Sequence, residues 1–409
     1  MPLSPDAAKV LKEYCKTRPV TALYHSYLAG YQDATWSDND HTYLEDNKWA
    51  IERSRVNICP AVVQGFTSGL TFGSLSGALG STTAALRFAN EQRRADREAW
   101  STGNGFLFAY RDDNGVPHLT SQNSEQVVPI MSEDLPELLY VGKVWSGPKD
   151  KSGKATWYVE VYYDTYFMKW HTVNERESVP KEPEAWVEAI ITWPGGTTAD
   201  PLQGELGAPH GFDEIPFVWY RLEASTEYTR GVSVLHHVIN LQDLKNKNTA
   251  DWVIADDKAA RMLILALELN EDDDPYSLLV AQGSKTEDEE LKLSKNDTLL
   301  SMKAASAQQL QAPTTEAFKS FGEANYSDIA AVTGLPEWYL RGKAPENSSY
   351  SNTAYLSSRV FARLRSYVED NKLEQAKALR LLGADAVPAY DVETFTLAQL
   401  PAPVGQESK

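Results

Sequence analysis

From Thr226 to Leu382 the apolar residues recur at helical spacing in three long stretches, and one short, very acidic insert separates the first from the second. In the first stretch Val232, Leu235, Val238, Ile239, Leu241 and Leu244 form a stripe, with Asn240, Asp243, Lys245, Lys247 and Asn248 around the remaining surface. Carried on to Lys258, this spacing predicts a helix roughly 40 Å long at the α-helical rise. Met262–Leu267 reads as a strand. The insert then carries Asp272, Asp273 and Asp274, a Gln282-Gly283-Ser284 turn, and Glu287, Asp288, Glu289 and Glu290. Pro313-Thr314-Thr315-Glu316 starts the second helix with a capping signal; Phe318, Phe321, Ile329 and Val332 are its stripe, and Gly334 ends it before Pro336. The third runs from Ser351 to Leu382 on Leu356, Val360, Phe361, Leu364, Tyr367, Val368, Leu373, Leu379 and Leu382. Helices this polar have little to bury in a core of their own. Two of them bracketing a small insert is the layout of a part that assembles with its copies, each offering complementary faces.

The first half has a different texture. Residues 5–56 read as helical, punctuated by Pro19 and by Ser37-Asp38-Asn39-Asp40. Pro60 opens an apolar turn through Ala61, Val62, Val63 and Phe66, and Gly65 to Gly80 reads as a small-residue loop. A helix follows from Ser81-Thr82 to Gly103, with Leu86, Phe88, Ala89, Ala95, Ala99 and Trp100 inward. The period then changes to strands: Gly105–Arg111, Glu125–Ile130, Glu137–Trp145, Trp157–Trp170, Trp186–Trp193 and Ile215–Arg221. The fold class is therefore α+β, with a mostly antiparallel region over 104–222. The tail after Ala384 is Pro-rich and expected to be loosely held.

A chain of 409 residues is long enough for two or three cores. Its 39 basic and 57 acidic residues give a net charge of −18, which argues against a protein that grips phosphate backbones through displaced counterions. It leaves room for a surface past which DNA slides. Two cysteines, Cys15 and Cys59, make neither a metal motif nor a disulfide framework, which points to a reducing compartment. The first residues lack a basic-then-apolar leader, and the uncharged stretch Asn57–Leu86 is too interrupted by Gly, Ser and Thr to span a bilayer.

No motif carries chemistry. Gly73–Thr82 resembles a phosphate loop only superficially, because the lysine before its Ser or Thr is missing. The three consecutive aspartates cannot converge on one cation, and His236-His237 on a helix point about 100° apart. The remaining histidines, His25, His41, His118, His171 and His210, are isolated. No nucleophile elbow occurs. Paired carboxylates are set by space and not by sequence spacing, and 11 Trp with 20 Tyr suit a sugar cleft, so a secreted or cytoplasmic hydrolase with a carboxylate-lined cleft stands as the enzyme alternative. No cofactor or metal is expected.

Several stretches, in order, resemble the portal (head–tail connector) proteins of tailed bacteriophages. They are Asn57–Val63; Glu98-Ala99-Trp100 before Gly103-Asn104-Gly105-Phe106; His210–Trp219; Arg230-Gly231-Val232-Ser233 with Ile239–Asn246; Val332–Leu340; and Glu346–Ala354. The resemblance implies a portal-type fold in a ring oligomer, usually of twelve copies. Residues 1–225 would be the wing, 226–258 the first stem helix, 259–312 the clip and 313–334 the second stem helix. Residues 335–350 would be the tunnel loop, 351–383 the long wing or tunnel helix, and 384–409 a short tail or residual crown. It further implies a virion protein at the capsid portal vertex, assembled in the host cytoplasm, through which double-stranded DNA is packaged and ejected without sequence specificity. The partners it implies are a terminase, a head-completion or neck adaptor protein, and the major capsid and scaffold proteins, with no membrane and no catalysis. Another neck ring component is the non-enzyme alternative. On this reading Arg341 and Lys343 are the candidates for brief DNA contact in the tunnel. Asp272, Asp273, Asp274, Glu287, Asp288, Glu289 and Glu290 are the candidates for docking a basic partner.

Overall fold

The computed structural model describes residues 3–32, 56–72, 82–112, 114–132, 137–189, 207–223, 230–261, 264–266, 306–308, 315–342, 350–384 and 390–392. Helices and strands are mixed, in two units: Met1–Ala34, Asn57–Ile239 and Ile329–Lys409 form the first, Thr35–Val56 and Asn240–Asp328 the second.

In the first unit, helix α1 (Pro5–Ala29) starts where the Ser4 hydroxyl accepts from the Ala7 amide, and ends at Gly30 in the left-handed region. The predicted break at Pro19 does not occur. Pro19 lies inside α1, where residues 18–20 are exposed, so the carbonyl its missing N–H leaves open can meet water. The apolar turn after Ile58 is likewise a helix, α2 (Cys59–Thr67), and Leu70–Phe72 forms β1. Helix α3 (Thr82–Thr102) matches its expectation, except that Leu86 is 61% exposed.

The strands form two sheets. Strands β4 (Val127–Met131), β5 (Leu138–Ser146), β6 (Trp157–Tyr162), β7 (Tyr166–Thr172) and β8 (Trp186–Glu188) pair in that order, and β9 (Ala208–Pro209) joins β7. The smaller sheet has the order β10 (Phe217–Arg221), β2 (Asn104–Arg111), β3 (Pro117–Gln122), all antiparallel. Trp157–Trp170 is thus a hairpin rather than one strand, and β3 adds a strand that weak alternation had hidden. One face of the large sheet packs Val144, Val159, Val161 and Trp170 against Ala7, Val10, Leu11 and Tyr14 of α1. At Gly142 a Cβ would stand 2.2 Å from Val10, so α1 can lie there only on glycine. The other face packs Val141, Tyr162 and Phe167 against Phe106, Phe217 and Trp219 of the small sheet.

The last predicted helix is two helices, α7 (Tyr350–Asp370) and α8 (Lys372–Leu381), parted at Asn371. The Asn371 amide donates to the carbonyls of Tyr367 (2.8 Å) and Arg221 (2.9 Å) and accepts from the Arg221 amide (2.9 Å); Glu374 accepts from the Trp219 amide (3.1 Å). These side chains satisfy the open edge of β10, a backbone ladder that would otherwise pair with another strand. The break turns Leu373, expected inward, 83% to solvent. Within the tail expected to be loosely held, β13 (Tyr390–Val392) pairs antiparallel with β1.

In the second unit the expected start at Thr226 moves. A 3-10 turn covers Val234–His237 and α4 runs Ile239–Arg261. The stripe is buried at Leu235, Val238 and Ile239, but Gln242, Asp243, Lys245 and Asn246 are buried as well, while Leu244 is 45% and Trp252 43% exposed. The polar side chains are used inside the chain. Gln242 donates to the Val56 carbonyl, Asn325 donates to the Leu241 carbonyl (3.1 Å), and Lys245 Nζ sits 4.0 Å from the Tyr326 ring centroid. Helix α5 (Thr315–Thr333) supplies Asn325 and Tyr326 and leaves Phe321 42% exposed; Val332 is equally exposed. A short antiparallel pair, β11 (Ile264–Ala266) with β12 (Ser306–Gln308), completes the described part.

Many of the aromatic residues that suited a sugar cleft are core: Trp100, Trp170, Trp186, Tyr27, Tyr220 and Tyr367 are almost fully buried. The Tyr367 hydroxyl donates to Asp96 (2.8 Å), and Gln92 donates to the same carboxylate oxygen (3.1 Å). Tyr367→Phe is therefore expected to cost about 1–3 kcal/mol in urea unfolding, since it leaves a buried carboxylate short of a donor.

Candidate functional site

Five of the sequence stretches meet in the first unit, at two convergences. Gly103 and Gly231 cross in near-contact: a Cβ on Gly231 would lie 2.0 Å from the Gly103 carbonyl, and one on Gly103 2.2 Å from the Gly231 carbonyl. Gly103 also has φ +89°, a conformation other residues rarely adopt. Asn104 locks the crossing. Its Oδ1 accepts from the Gly231 amide (3.1 Å) and from Trp219 Nε1 (3.0 Å). The Ser233 hydroxyl donates to the Ser101 carbonyl and accepts from the Leu235 amide (2.9 Å), which starts the turn leading into α4. Arg230 donates through Nη2 to the Val127 carbonyl (3.0 Å), and burial pushes its pKa down to about 10.

A second convergence holds α6 (Glu337–Leu340). Gly334, at φ +80°, ends α5, as its place before Pro336 predicts. Leu335 packs so close to Gly65 of α2 that a Cβ there would sit 2.7 Å away, and the Tyr339 hydroxyl donates to the Ala61 carbonyl (3.2 Å). Phe66 stacks on Trp100 with centroids 4.3 Å apart, and Trp100 lies 5.4 Å from Tyr367. From α7, Arg363 donates to the Thr333 carbonyl (3.2 Å) and, through Nε, to Glu223 (2.7 Å).

Arg341 caps α6 and pairs with Glu337 one turn earlier, leaving its side chain 19% exposed. Lys343 and the acidic residues Asp272, Asp273, Asp274, Glu287, Asp288, Glu289 and Glu290 lie outside the described residues. So do residues 73–81 of the phosphate-loop lookalike. His236 and His237 stand in the 3-10 turn rather than a helix, with ring centroids 4.9 Å apart, and His236 Nδ1 is 3.1 Å from the Tyr24 hydroxyl. Among the described residues no group of three His, Cys, Asp or Glu could hold a metal, and no helix is long and apolar enough to cross a membrane.

One charged cluster went unread in the sequence because its members are far apart there. His25 of α1 reaches Glu125 through Nδ1 (2.6 Å) and Glu98 of α3 through Nε2 (2.8 Å), and Glu98 also accepts from the Ser124 hydroxyl (2.8 Å) and amide (3.1 Å). Burial opposes charge on His25, but hydrogen bonds and the field of the two carboxylates outweigh it, so the imidazole is raised to about 9. Burial likewise opposes charge on Glu98, and its bonds from His25 and Ser124 bring it below the usual range.

The model of the family described as phage portal protein, SPP1 Gp6-like, matches residues 79–338, well over half of the chain. The chain belongs to this phage portal family. Among solved structures it is similar to a chain in the neck of a native gene transfer agent particle computed with C12 symmetry, at 15% identity and TM-score 0.42, over 88% of this chain and 85% of that one. It is also similar to a chain in the virion of a native gene transfer agent particle, at 16% identity and TM-score 0.43, over 80% and 78%. No curated protein matches.

Two predictions follow from this geometry. Gly231→Ala forces a Cβ into the Gly103 carbonyl and is expected to cost upwards of about 2 kcal/mol in thermal unfolding, with Gly322→Ala, which meets nothing within 4 Å, as the control. Because the folded His25 pKa lies above the unfolded value, its contribution is complete below about pH 6.5 and lost as pH rises through about 9. Urea midpoints measured from pH 6 to 10 are expected to fall in that window for the native chain, and His25→Gln is expected to flatten the fall.

Proposed function

We propose that this chain is one subunit of a portal ring at a capsid vertex, a conduit for double-stranded DNA with no chemistry of its own. Membership of the phage portal family over residues 79–338 carries the reading. The finer assignment follows the chain order. Residues 1–225 with the helices after 351 make the wing, α4 and α5 the two stem helices, 259–312 the clip and 335–350 the tunnel loop. The exposed Leu244, Trp252 and Phe321 on α4 and α5 support it, since large apolar side chains at that exposure suit burial against sister copies. Polarity by itself does not send these helices to sister copies, because Gln242, Lys245 and Asn246 are buried within the chain; the large apolar side chains left exposed are what a neighbour would cover.

Each remaining role has a physical basis. An excess of 18 negative charges offers passing DNA few cations for counterion exchange, so the duplex moves without adhering. Arg341 and Lys343, at the start of the loop after α6, make transient phosphate contacts; the Glu337 partner of Arg341 keeps that contact weak. The acidic run between residues 272 and 290 steers a basic partner, such as the terminase or a neck adaptor, to the clip.

Native mass spectrometry and negative-stain imaging test the assembly: a closed ring with an axial channel is expected, and a solitary subunit at high concentration overturns the reading. Arg341→Ala with Lys343→Ala is expected to leave ring assembly intact while reducing DNA packaged or retained per head. Full heads of normal DNA content from that double variant would remove the loop assignment.

A further inference from the structure

Helix α3 turns a face of one charge sign to solvent. Arg87, Arg93, Arg94 and Arg97 are all exposed on it, and the acids of the same helix are turned elsewhere. Asp96 is buried, Glu98 is engaged by His25 and Ser124, and Glu91 accepts from the Ser121 amide (2.8 Å) as well as from Arg94 (2.8 Å). Among the described residues Arg93 and Arg97 have no acidic partner. They are spaced i, i+4, where like charges repel along a helix. In a chain of net charge −18 this face is out of character.

At the N-terminal end of that face, beside the exposed Leu86, lies a cleft of about 310 Å³ walled by Thr83, Arg87 and Phe88 of α3 and by Val116, His118 and Leu119. Arg87 Nη1 stands 3.3 Å from His118 Nδ1, and His118 Nε2 3.1 Å from Asp112. Arginine donates only, so Nδ1 accepts, Nε2–H points to Asp112, and the guanidinium is held over the rim of an apolar hollow.

The same unit carries a complement. The connection from β7 to β8 exposes Glu175, Glu177, Glu182 and Glu184, with Arg176 and Lys181 as its basic residues, between Val173 (53% exposed) and Val187 (37%). It is a built segment: Arg176 bridges to Ala155 in both directions (2.8 and 2.9 Å), the Val173 amide donates to the Ala185 carbonyl (2.9 Å), and Trp186 Nε1 donates to the Pro180 carbonyl (3.2 Å).

We propose that the arginine face of α3 and its cleft receive the acidic Val173–Val187 connection of a neighbouring copy. Two different complementary faces on one chain make a head-to-tail contact, the kind that closes into a ring when the rotation allows. A phosphate backbone would satisfy the arginines and leave the cleft, Leu86 and Val116 unmatched. A segment whose carboxylates lie between two exposed valines matches both. This assignment rests on the ring reading above and names the surface that would make it.

Charge reversal with rescue tests it, with assembly followed by native mass spectrometry and circular dichroism confirming the fold. Arg93→Glu with Arg97→Glu is expected to raise the subunit concentration needed for rings by about ten-fold or more, and Glu175→Arg with Glu177→Arg to do the same. Combining all four substitutions is expected to restore assembly. Rings that form normally from Arg93→Glu/Arg97→Glu, or that the combined variant fails to recover, overturn the contact while leaving the ring reading intact. A native chain that never leaves the monomer overturns both. Normal rings that have lost affinity for a short DNA duplex would make the face a nucleic-acid surface instead, and the contact would fall.

Discussion

The crossing of Gly103 over Gly231 is the constraint on which the rest of the first unit depends. Two backbones come closer there than any side chain permits, and Asn104 holds them with one carbonyl oxygen shared between the Gly231 amide and the Trp219 indole. On one side of the crossing, α3 lies on β2 so closely that a Cβ at Gly105 would meet the Ala95 carbonyl at 2.0 Å. On the other, Ser233 starts the turn into α4. Close backbone approach of this kind transmits position rigidly, because there is no flexible side chain between the two strands of chain to absorb a shift.

The second organising feature is how the chain manages charge. Its cations inside the first unit are mostly committed. Lys169 pairs with Glu160 at 2.9 Å and lies about 5 Å from the Trp145 and Tyr158 rings, while Lys143, directly across from Glu160, is held below its usual pKa by burial. His25 is clamped by two carboxylates. Against that background the exposed arginines of α3 stand apart, and so does Arg341, whose partner is a neighbour on its own short helix.

Element type was legible wherever the period was long or the punctuation strong. The span of α3, the strands β2, β4 and β5, and the stop of α5 at Gly334 all follow from apolar spacing, β-branched and aromatic content, or a glycine before Pro336. The errors share a cause. Pro19 is tolerated because its turn of α1 faces water, Asn371 breaks the last helix because an edge strand needs its amide, and β3 shows no alternation because it is only half covered. In each case what the fold places across from the residue, water or a distant segment, decided the outcome. The candidate residues divide likewise: the motifs that meet at Gly231 and at Tyr339 were visible as separate stretches, but their meeting was not.

Apolar periodicity and net charge determined by themselves that this chain is α+β, acidic and rich in long helices, because those properties are local or additive along the chain; the order of its stretches gave the resemblance to the portal family, to which the family model assigns it. Tertiary structure alone decided that α4 buries Gln242, Lys245 and Asn246 and shows Leu244 and Trp252 to solvent. It alone joined His25, Glu98 and Glu125 into one ion cluster and gathered four arginines on one outward face. Which side of a helix counts as inside depends on what lies across from it, and hydrogen bonds from a partner such as Asn325 or the Val56 carbonyl can make a polar side the buried one.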